Sequence, residues 1–420
     1  MILGFTYLGV LLIMILIGVP VALSLAGTTL LGLIIEGGFS SLPVMSNTSW
    51  ATTSEFVLTA VPLFVLMSEV IGVSGIGRDL FIAVERLLGR ISGGQAIASV
   101  VACAIFGAVS GTGVGVAAVI GGVAIPQMIA RGYPREIAAG SVAGASPLGM
   151  IIPPSLPLIL YGVVTETPIA RLFLAGILPG IMITVLCCIC VSFMVKRSGK
   201  TFDEIESGSA LQSIKLSLPV VLLIVIVIGS IYAGIATPTE AAGVGAVGAI
   251  LIAGLQGRLT VERMKMALLS SAQTSAMLLF VLIGAMLFGY LLGITRMPQE
   301  LTAVTVGLDV SPWVIFALIM VAYFVLGMFL EVTSIILITM PVIFPTVIAL
   351  GFDPVWFAIV LMVNMSLAVV TPPVGLCLYV VKNCAPGTSL GQVIRGTAPL
   401  MAMYVVMLVV LCIFPGLVLY

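Results

Sequence analysis

Eleven stretches of this chain are apolar for long enough to enter a bilayer, and several are too long to cross it only once. They fall near residues 2–35, 56–74, 95–130, 137–165, 170–195, 216–234, 239–256, 266–294, 312–350, 355–381 and 397–419. A membrane helix needs about 20 apolar residues. Lipid offers the backbone no hydrogen bonds, so an open, irregular fold is excluded there. With 61% hydrophobic and 8% charged residues, against about 25% charged in soluble domains, the chain reads as an all-α polytopic membrane protein. The N-terminal run lacks a basic leader and a cleavage site, so it is expected to stay as a membrane passage of one or two spans around Pro20.

Charge decides how the overlong runs 95–130 and 312–350 are threaded. If each is a re-entrant hairpin, the first entering from the cytoplasm and the second from outside, only Arg171 and Arg296 of the 16 basic residues fall outside. A full crossing by either run would move every later loop to the other side and erase that asymmetry. Under this scheme Trp313 and Trp356 lie at the outer interface, as an aromatic belt predicts. The polar segment 196–215 becomes a cytoplasmic connector, and its GKT lacks the earlier glycine of a phosphate loop.

Each long hairpin is followed by a run that should be one helix but carries a proline doublet, GASPLGMIIPPS at 144–155 and NMSLAVVTPPVG at 364–375. Proline inside a helix removes a donor and clashes with the preceding turn, at about 3 kcal/mol or more. The pairs Pro126 and Pro345, Gly132 and Gly351, and Pro153 and Pro372 are each 219 positions apart. Two copies of one unit, hairpin plus proline-broken span, are therefore expected, and the charges orient them oppositely. Interrupted apolar segments at matching positions of an inverted repeat point to a transporter's binding site. A broken helix leaves carbonyls free to hold a cation and N–H groups that attract an anion.

The hairpin tips and breaks supply the candidate residues. The first tip offers Ser110, Gly111, Thr112 and Gly113, and the second offers Glu331, Thr333 and Ser334. Facing them are Ser146 in the first break and Asn364, Ser366 and Thr371 in the second. Such neutral hard oxygens suit Na⁺ rather than a transition metal. Glu331 and Glu69 are the ionisable residues at membrane depth, and such residues are functional candidates by default. For Glu331 the readings are cation or proton coupling, helix capping or docking against a scaffold. Glu69 is expected to pair with a basic residue of a scaffold or partner, and Glu240 to close a capping box. The seven cysteines lie mostly in apolar runs and read as packing residues, and the 21 methionines likewise. Histidine is absent, which excludes His relays, HExxH zinc sites and Ser-His-Asp triads. An intramembrane enzyme has little to work with, and a channel would need a continuous pore in place of the broken repeats.

The motifs SGTGVGVAAVIG, GYPREIAAG, LGMIIPPSLPLILYG, LFLAGILPG, GIATPTEAAG, PVIFPTVIALGFDPVWF and TPPVGLCLYVV resemble the large membrane subunit of tripartite ATP-independent periplasmic (TRAP) transporters, within the ion transporter superfamily. The resemblance covers roughly residues 5 to 418. It implies a sodium-driven elevator-type importer of small carboxylates in the bacterial inner membrane. It also implies two partners, a small four-helix membrane subunit and a periplasmic substrate-binding protein; a stand-alone carrier of the same fold is the alternative. No cofactor is implied beyond Na⁺ as coupling ion, and no nucleic acid. By position, the tips match the family's clamshell, and 146–154 and 364–373 match its ion- and substrate-facing segments. The substrate carboxylate is then expected near Ser110, Ser146, Pro153, Pro154, Asn364, Thr371, Pro372 and Pro373. One departure is the first tip, SGTG, where the family pattern has SGS and an alanine-rich step; Thr112 keeps the hydroxyl. The expected division is scaffold at 1–94, a transport unit from 95–169 and 312–395, connecting scaffold at 170–311, and a last helix at 396–420.

Overall fold

The computed structural model describes residues 2–88, 93–199, 210–307 and 309–418. The middle of the polar connector, 200–209, and Arg90 lie outside the described residues. All regular elements among them are helical, and eight helices are long and apolar enough to cross a membrane. Run 2–35 resolves into two helices, Ile2–Leu16 and Val21–Gly37, parted where Gly18 takes φ +90° ahead of Pro20. Three shorter helices went unforeseen: Pro43–Ser54, Ile76–Leu88 and Met297–Val306. Their polar faces hide them from a reading built on apolar runs.

Both hairpins form where the sequence places them. The first pairs Gly94–Ser110 with Gly113–Ala130, and the second pairs Pro312–Gly327 with Val332–Ala349. The offset of 219 carries through to element boundaries: Gly113–Ala130 becomes Val332–Ala349, and helices start at both Arg135 and Pro354. Each broken span comes in two halves. Arg135–Ala145 and a 3-10 turn at Ser146–Met150 precede Leu156–Thr165, while Pro354–Ala368 precedes Leu376–Cys384. Pro153-Pro154 and Pro372-Pro373 are both joined by cis peptide bonds in the breaks.

Small residues let these pieces approach closely. Gly140 and Gly396 pack backbone against backbone, which seats the last long helix, Leu390–Ile413, on the first broken span. A Cβ on Gly396 would strike the Glu136 carbonyl and one on Gly140 would strike Gly396. From the same helix the Tyr404 hydroxyl donates to the Gly144 carbonyl at 2.8 Å, and its Leu411 carbonyl accepts from Trp356 Nε1 at 2.9 Å. Trp356 is therefore buried, stacked on Phe352 at 5.5 Å between centroids. Trp313 is exposed at the edge of the same aromatic cluster, its ring 5.9 Å from that of Trp356 between centroids.

A second group of helices packs around Val261–Ile294. Gly284 faces Leu25, Gly32 faces Leu291, and Ser271 donates to the Pro62 carbonyl at 3.4 Å. Glu69, half-buried in helix Ala60–Ser74, has no ion-pair partner among the described residues. Its neighbours explain this: Pro238–Leu255 has no Lys or Arg, and Val261–Ile294 has only Arg263 and Lys265, in its first turns. The scaffold pairing expected for Glu69 is thus not made within this chain's described residues. Glu240 does form its capping box with Thr237.

Helix Ile76–Leu88 connects the two groups. Asp79 forms an ion pair with Arg258 of the second group. Glu85, buried, accepts from Arg131 at 2.9 Å and from Gln95 at 2.5 Å at the base of the first hairpin. Burial pushes the Glu85 carboxyl above its usual range, against the downward pull of Arg131 and Gln95.

Candidate functional site

Each tip exists because its backbone can turn and its next helix can be capped. At the first, Gly111 takes φ +65°, a conformation open to glycine at little cost. Thr112 then caps helix Gly113–Ala130, its Oγ1 accepting from Gly115 N at 3.2 Å and lying 3.3 Å from Ser110 Oγ. At the second tip the equivalent position is Glu331, which caps Val332–Ala349: its Oε2 accepts from Ser334 N at 3.1 Å and from the Thr333 hydroxyl. Glu331 is exposed, with its carboxylate committed to its own helix. Of the readings open to it, capping is the one the geometry realises.

The tips are pinned to the breaks by matching hydrogen bonds. Leu156 N, just beyond the first proline pair, donates to the Gly111 carbonyl at 3.3 Å. Gly375 N, 219 positions later, donates to the Met328 carbonyl at 3.3 Å. The approach is close in both copies: a Cβ on Gly107 would stand 2.7 Å from Gly149 Cα, and one on Gly327 would stand 2.7 Å from Ala368 Cβ. The first tip and first break are thus one packed unit, as are the second tip and second break.

The two units meet each other. Ser366 Oγ donates to the Pro147 carbonyl at 3.4 Å, and these residues are themselves 219 apart. A contact between a position and its own repeat counterpart lies where the two copies face one another. Cys377, from the half-helix after the second break, reaches the first: a Cβ on Gly113 would stand 3.4 Å from its Sγ. Ser110, Gly111, Gly113, Ser146, Pro153, Pro154, Thr333, Asn364 and Ser366 are all buried here, and Thr112, Ser334, Thr371 and Pro372 partly so. Asn364 donates through Nδ2 to the Met320 carbonyl at 2.8 Å, which ties the second broken span to its own hairpin. Thr371 Oγ1 bonds back to the Leu367 carbonyl at 2.7 Å, and Ser146 Oγ to Ala143 at 3.0 Å.

Cover is unequal. Helix Ile169–Arg197 lies on the first break through Gly176 and Gly180, where added Cβ atoms would meet the Ile151 carbonyl and the Ile152 side chain. Pro373 of the second break is exposed, as are Glu331 and Phe329 at the second tip.

Two residues here escaped the sequence reading. Ser155, fully buried, donates to the Met150 carbonyl at 2.7 Å and caps Leu156–Thr165, so it staples the two sides of the break. Its place directly after Pro153-Pro154 was a legible capping signal. Cys377 carried no local signal, because its neighbours come from the other copy.

Helix starts gather at one place: Gly113–Ala130, Val332–Ala349, Leu156–Thr165 and Leu376–Cys384 all begin at a tip or a break. Their N-termini favour negative charge, while interrupted carbonyls and hydroxyls provide cation ligands. Two packed copies of hairpin and broken helix around such a site define a membrane transport protein. Over residues 8–417 the chain matches the family described as tripartite ATP-independent periplasmic transporter, DctM component. It belongs to that family and is a multi-pass inner-membrane protein, a permease component rather than an enzyme. It is 35% identical to the C4-dicarboxylate TRAP transporter large permease protein DctM of Pseudomonas aeruginosa, across 87% of this chain and 86% of the relative. It is 30% identical to the sialic acid TRAP transporter large permease protein SiaM of Vibrio cholerae, across 95% of this chain and 93% of that relative. An isethionate permease protein DctMQ of Oleidesulfovibrio alaskensis is 32% identical across 95% of this chain and 63% of its own length. Among solved structures, the YdaH transporter of Alcanivorax borkumensis shares the fold, with a TM-score of 0.62 at 14% identity, over 90% of this chain and 89% of that one.

Proposed function

We propose that this chain is the permease of a Na⁺-coupled importer of small carboxylates, working by an elevator motion with a small membrane subunit and a periplasmic binding protein. The observation that carries the reading is that each tip is bonded to its own break and the two breaks touch at the Pro147–Ser366 contact. Helix N-termini there supply partial positive charge for a carboxylate in a site without a basic side chain. Na⁺ takes the oxygens of Ser110, Gly111, Thr112, Gly113 and Ser146 in one copy and of Thr333, Ser334, Asn364, Ser366 and Thr371 in the other. Glu331 serves the second copy's oxygens as the cap that fixes Thr333 and Ser334 in place.

The two copies are read as inverted, their hairpins entering from opposite faces. Hairpins, broken spans and helix Leu390–Ile413 move as one transport unit against the scaffold around Val261–Ile294. Relatives named for C4-dicarboxylates, sialic acid and isethionate have one thing in common, a small organic anion. Carboxylates are favoured because two of those three are carboxylates.

The test is uptake of a radiolabelled carboxylate panel into proteoliposomes, with and without a Na⁺ gradient and the binding protein. Uptake that needs both supports the tripartite reading, and uptake with Na⁺ alone makes this a stand-alone carrier. Ser110→Ala and Thr371→Ala should each raise the Na⁺ concentration for half-activation; unchanged activation in both sinks the ligand assignment.

A further inference from the structure

A cavity of about 700 Å³ lies away from the tips and breaks, where three parts of the chain come together. One wall is the end of the first broken span and its exit loop, 162–170; the others are the polar helix and turn at 48–58 and the helix start at 237–239. Its size falls in the range of small-molecule sites. Two ionisable residues line it, Glu55 and Glu166, and no basic residue does. Neither carboxylate has an ion pair or hydrogen bond among the described residues.

Two more polar groups wait there. Thr52 and Thr239 line the cavity, each more than nine-tenths buried, and among the described residues neither hydroxyl has a hydrogen-bond partner. Neither hydroxyl oxygen is sealed away, so both face the cavity as open acceptors, and with the exposed carboxylates of Glu55 and Glu166 they leave room for a donor-bearing group. Glu166 also holds a left-handed backbone, φ +56°, unfavourable for a residue with a side chain. The remaining walls, Phe56 and Ile169 among them, are apolar.

We infer that this cavity binds an organic ammonium with an apolar body, its N–H groups shared between the carboxylates and the open hydroxyls. One wall belongs to the moving unit and two to the scaffold, so a bound molecule spans both and holds them in register. The inhibition that follows rests on the elevator reading above; the binding does not.

The experiment uses the full chain in detergent without Na⁺, with 4-phenylbutylammonium as probe and 4-phenylbutanol as its neutral counterpart, by titration calorimetry. Saturable binding of the ammonium, at least tenfold tighter than the alcohol, is expected. The Glu55→Gln, Glu166→Gln double variant should lose at least tenfold, with Thr239→Val, which keeps the cavity's shape, weakening binding less. Thermal melts of each variant exclude misfolding. In proteoliposomes the ammonium should lower the maximal uptake rate without changing KM, and spare the double variant. Equal binding of alcohol and ammonium, or none by either, overturns the site while leaving the elevator reading intact. Binding without inhibition overturns the clamp, whereas uptake indifferent to Na⁺ in the untreated protein counts against the transport reading and not the cavity.

Discussion

Replacing Gly111 with alanine tests the coupling of tip to break. The left-handed backbone costs a non-glycine residue about 1–2 kcal/mol. An added Cβ would stand 3.1 Å from the Pro154 carbonyl oxygen and 3.2 Å from Leu156 N, so the tip must retreat by tenths of an ångström. That retreat lengthens the Leu156 N to Gly111 O bond, already 3.3 Å, and such a bond is worth about 0.5–1.5 kcal/mol. The sum, about 1.5–3.5 kcal/mol, opposes the docked tip and corresponds to roughly 10- to 300-fold in any equilibrium that needs it. Half-activation of uptake by Na⁺ should therefore shift upward by that order in Gly111→Ala. Gly132→Ala is the control: it has φ +83° but open space around the added Cβ. It should lose thermal stability through backbone strain alone and keep its Na⁺ response. A Gly111→Ala protein with half-activation within twofold of the parent, or a Gly132→Ala protein with the same shift, would refute the reasoning.

Three further outcomes follow from the geometry. Glu331→Asn should retain sodium activation because asparagine also caps, while Glu331→Ala should lower stability by about 1 kcal/mol; a sodium response lost in both would return Glu331 to the ligand set. Glu85→Gln should be tolerated, whereas Glu85→Ala, which strands Gln95 and half-exposed Arg131, should cost about 1–3 kcal/mol by thermal melting. Because the Glu85 pKa is raised in the folded state, its contribution is full below the unfolded value and is lost as pH rises through the folded one. The parent should thus gain stability relative to Glu85→Gln as pH falls from neutral toward the ordinary carboxylate range, and the opposite trend would contradict the assignment. Gly140→Ala meets the Gly396 backbone with no side chain able to yield. It should cost about 3 kcal/mol or more and reduce folded yield, measured by monodisperse elution.

Much of the site was legible because its chemistry is local. A proline doublet stops a helix wherever it stands, and Gly111 with Thr112 turns and caps the chain from their own backbone preferences, so breaks and tips could be located residue by residue. The 219-residue offset held at helix boundaries for the same reason, since each copy folds by the same short-range rules. What stayed hidden depended on distant neighbours. Nothing near Trp356 in the sequence announced its enclosure by Phe352 and the Leu411 carbonyl, and Glu69, expected to pair with a basic residue of a scaffold or partner, finds none on its neighbouring helices in this chain. Glu331 kept three readings open because only the orientation of its side chain separates a ligand from a cap. The Pro147–Ser366 contact, the reach of Cys377 across to Gly113 and the burial of Glu85 by Gln95 and Arg131 were settled by packing between segments tens to hundreds of residues apart. Apolar length and helix-breaking chemistry are properties of a segment and survive in the sequence. Burial and partnership are properties of the assembled helices, and only the fold could assign them.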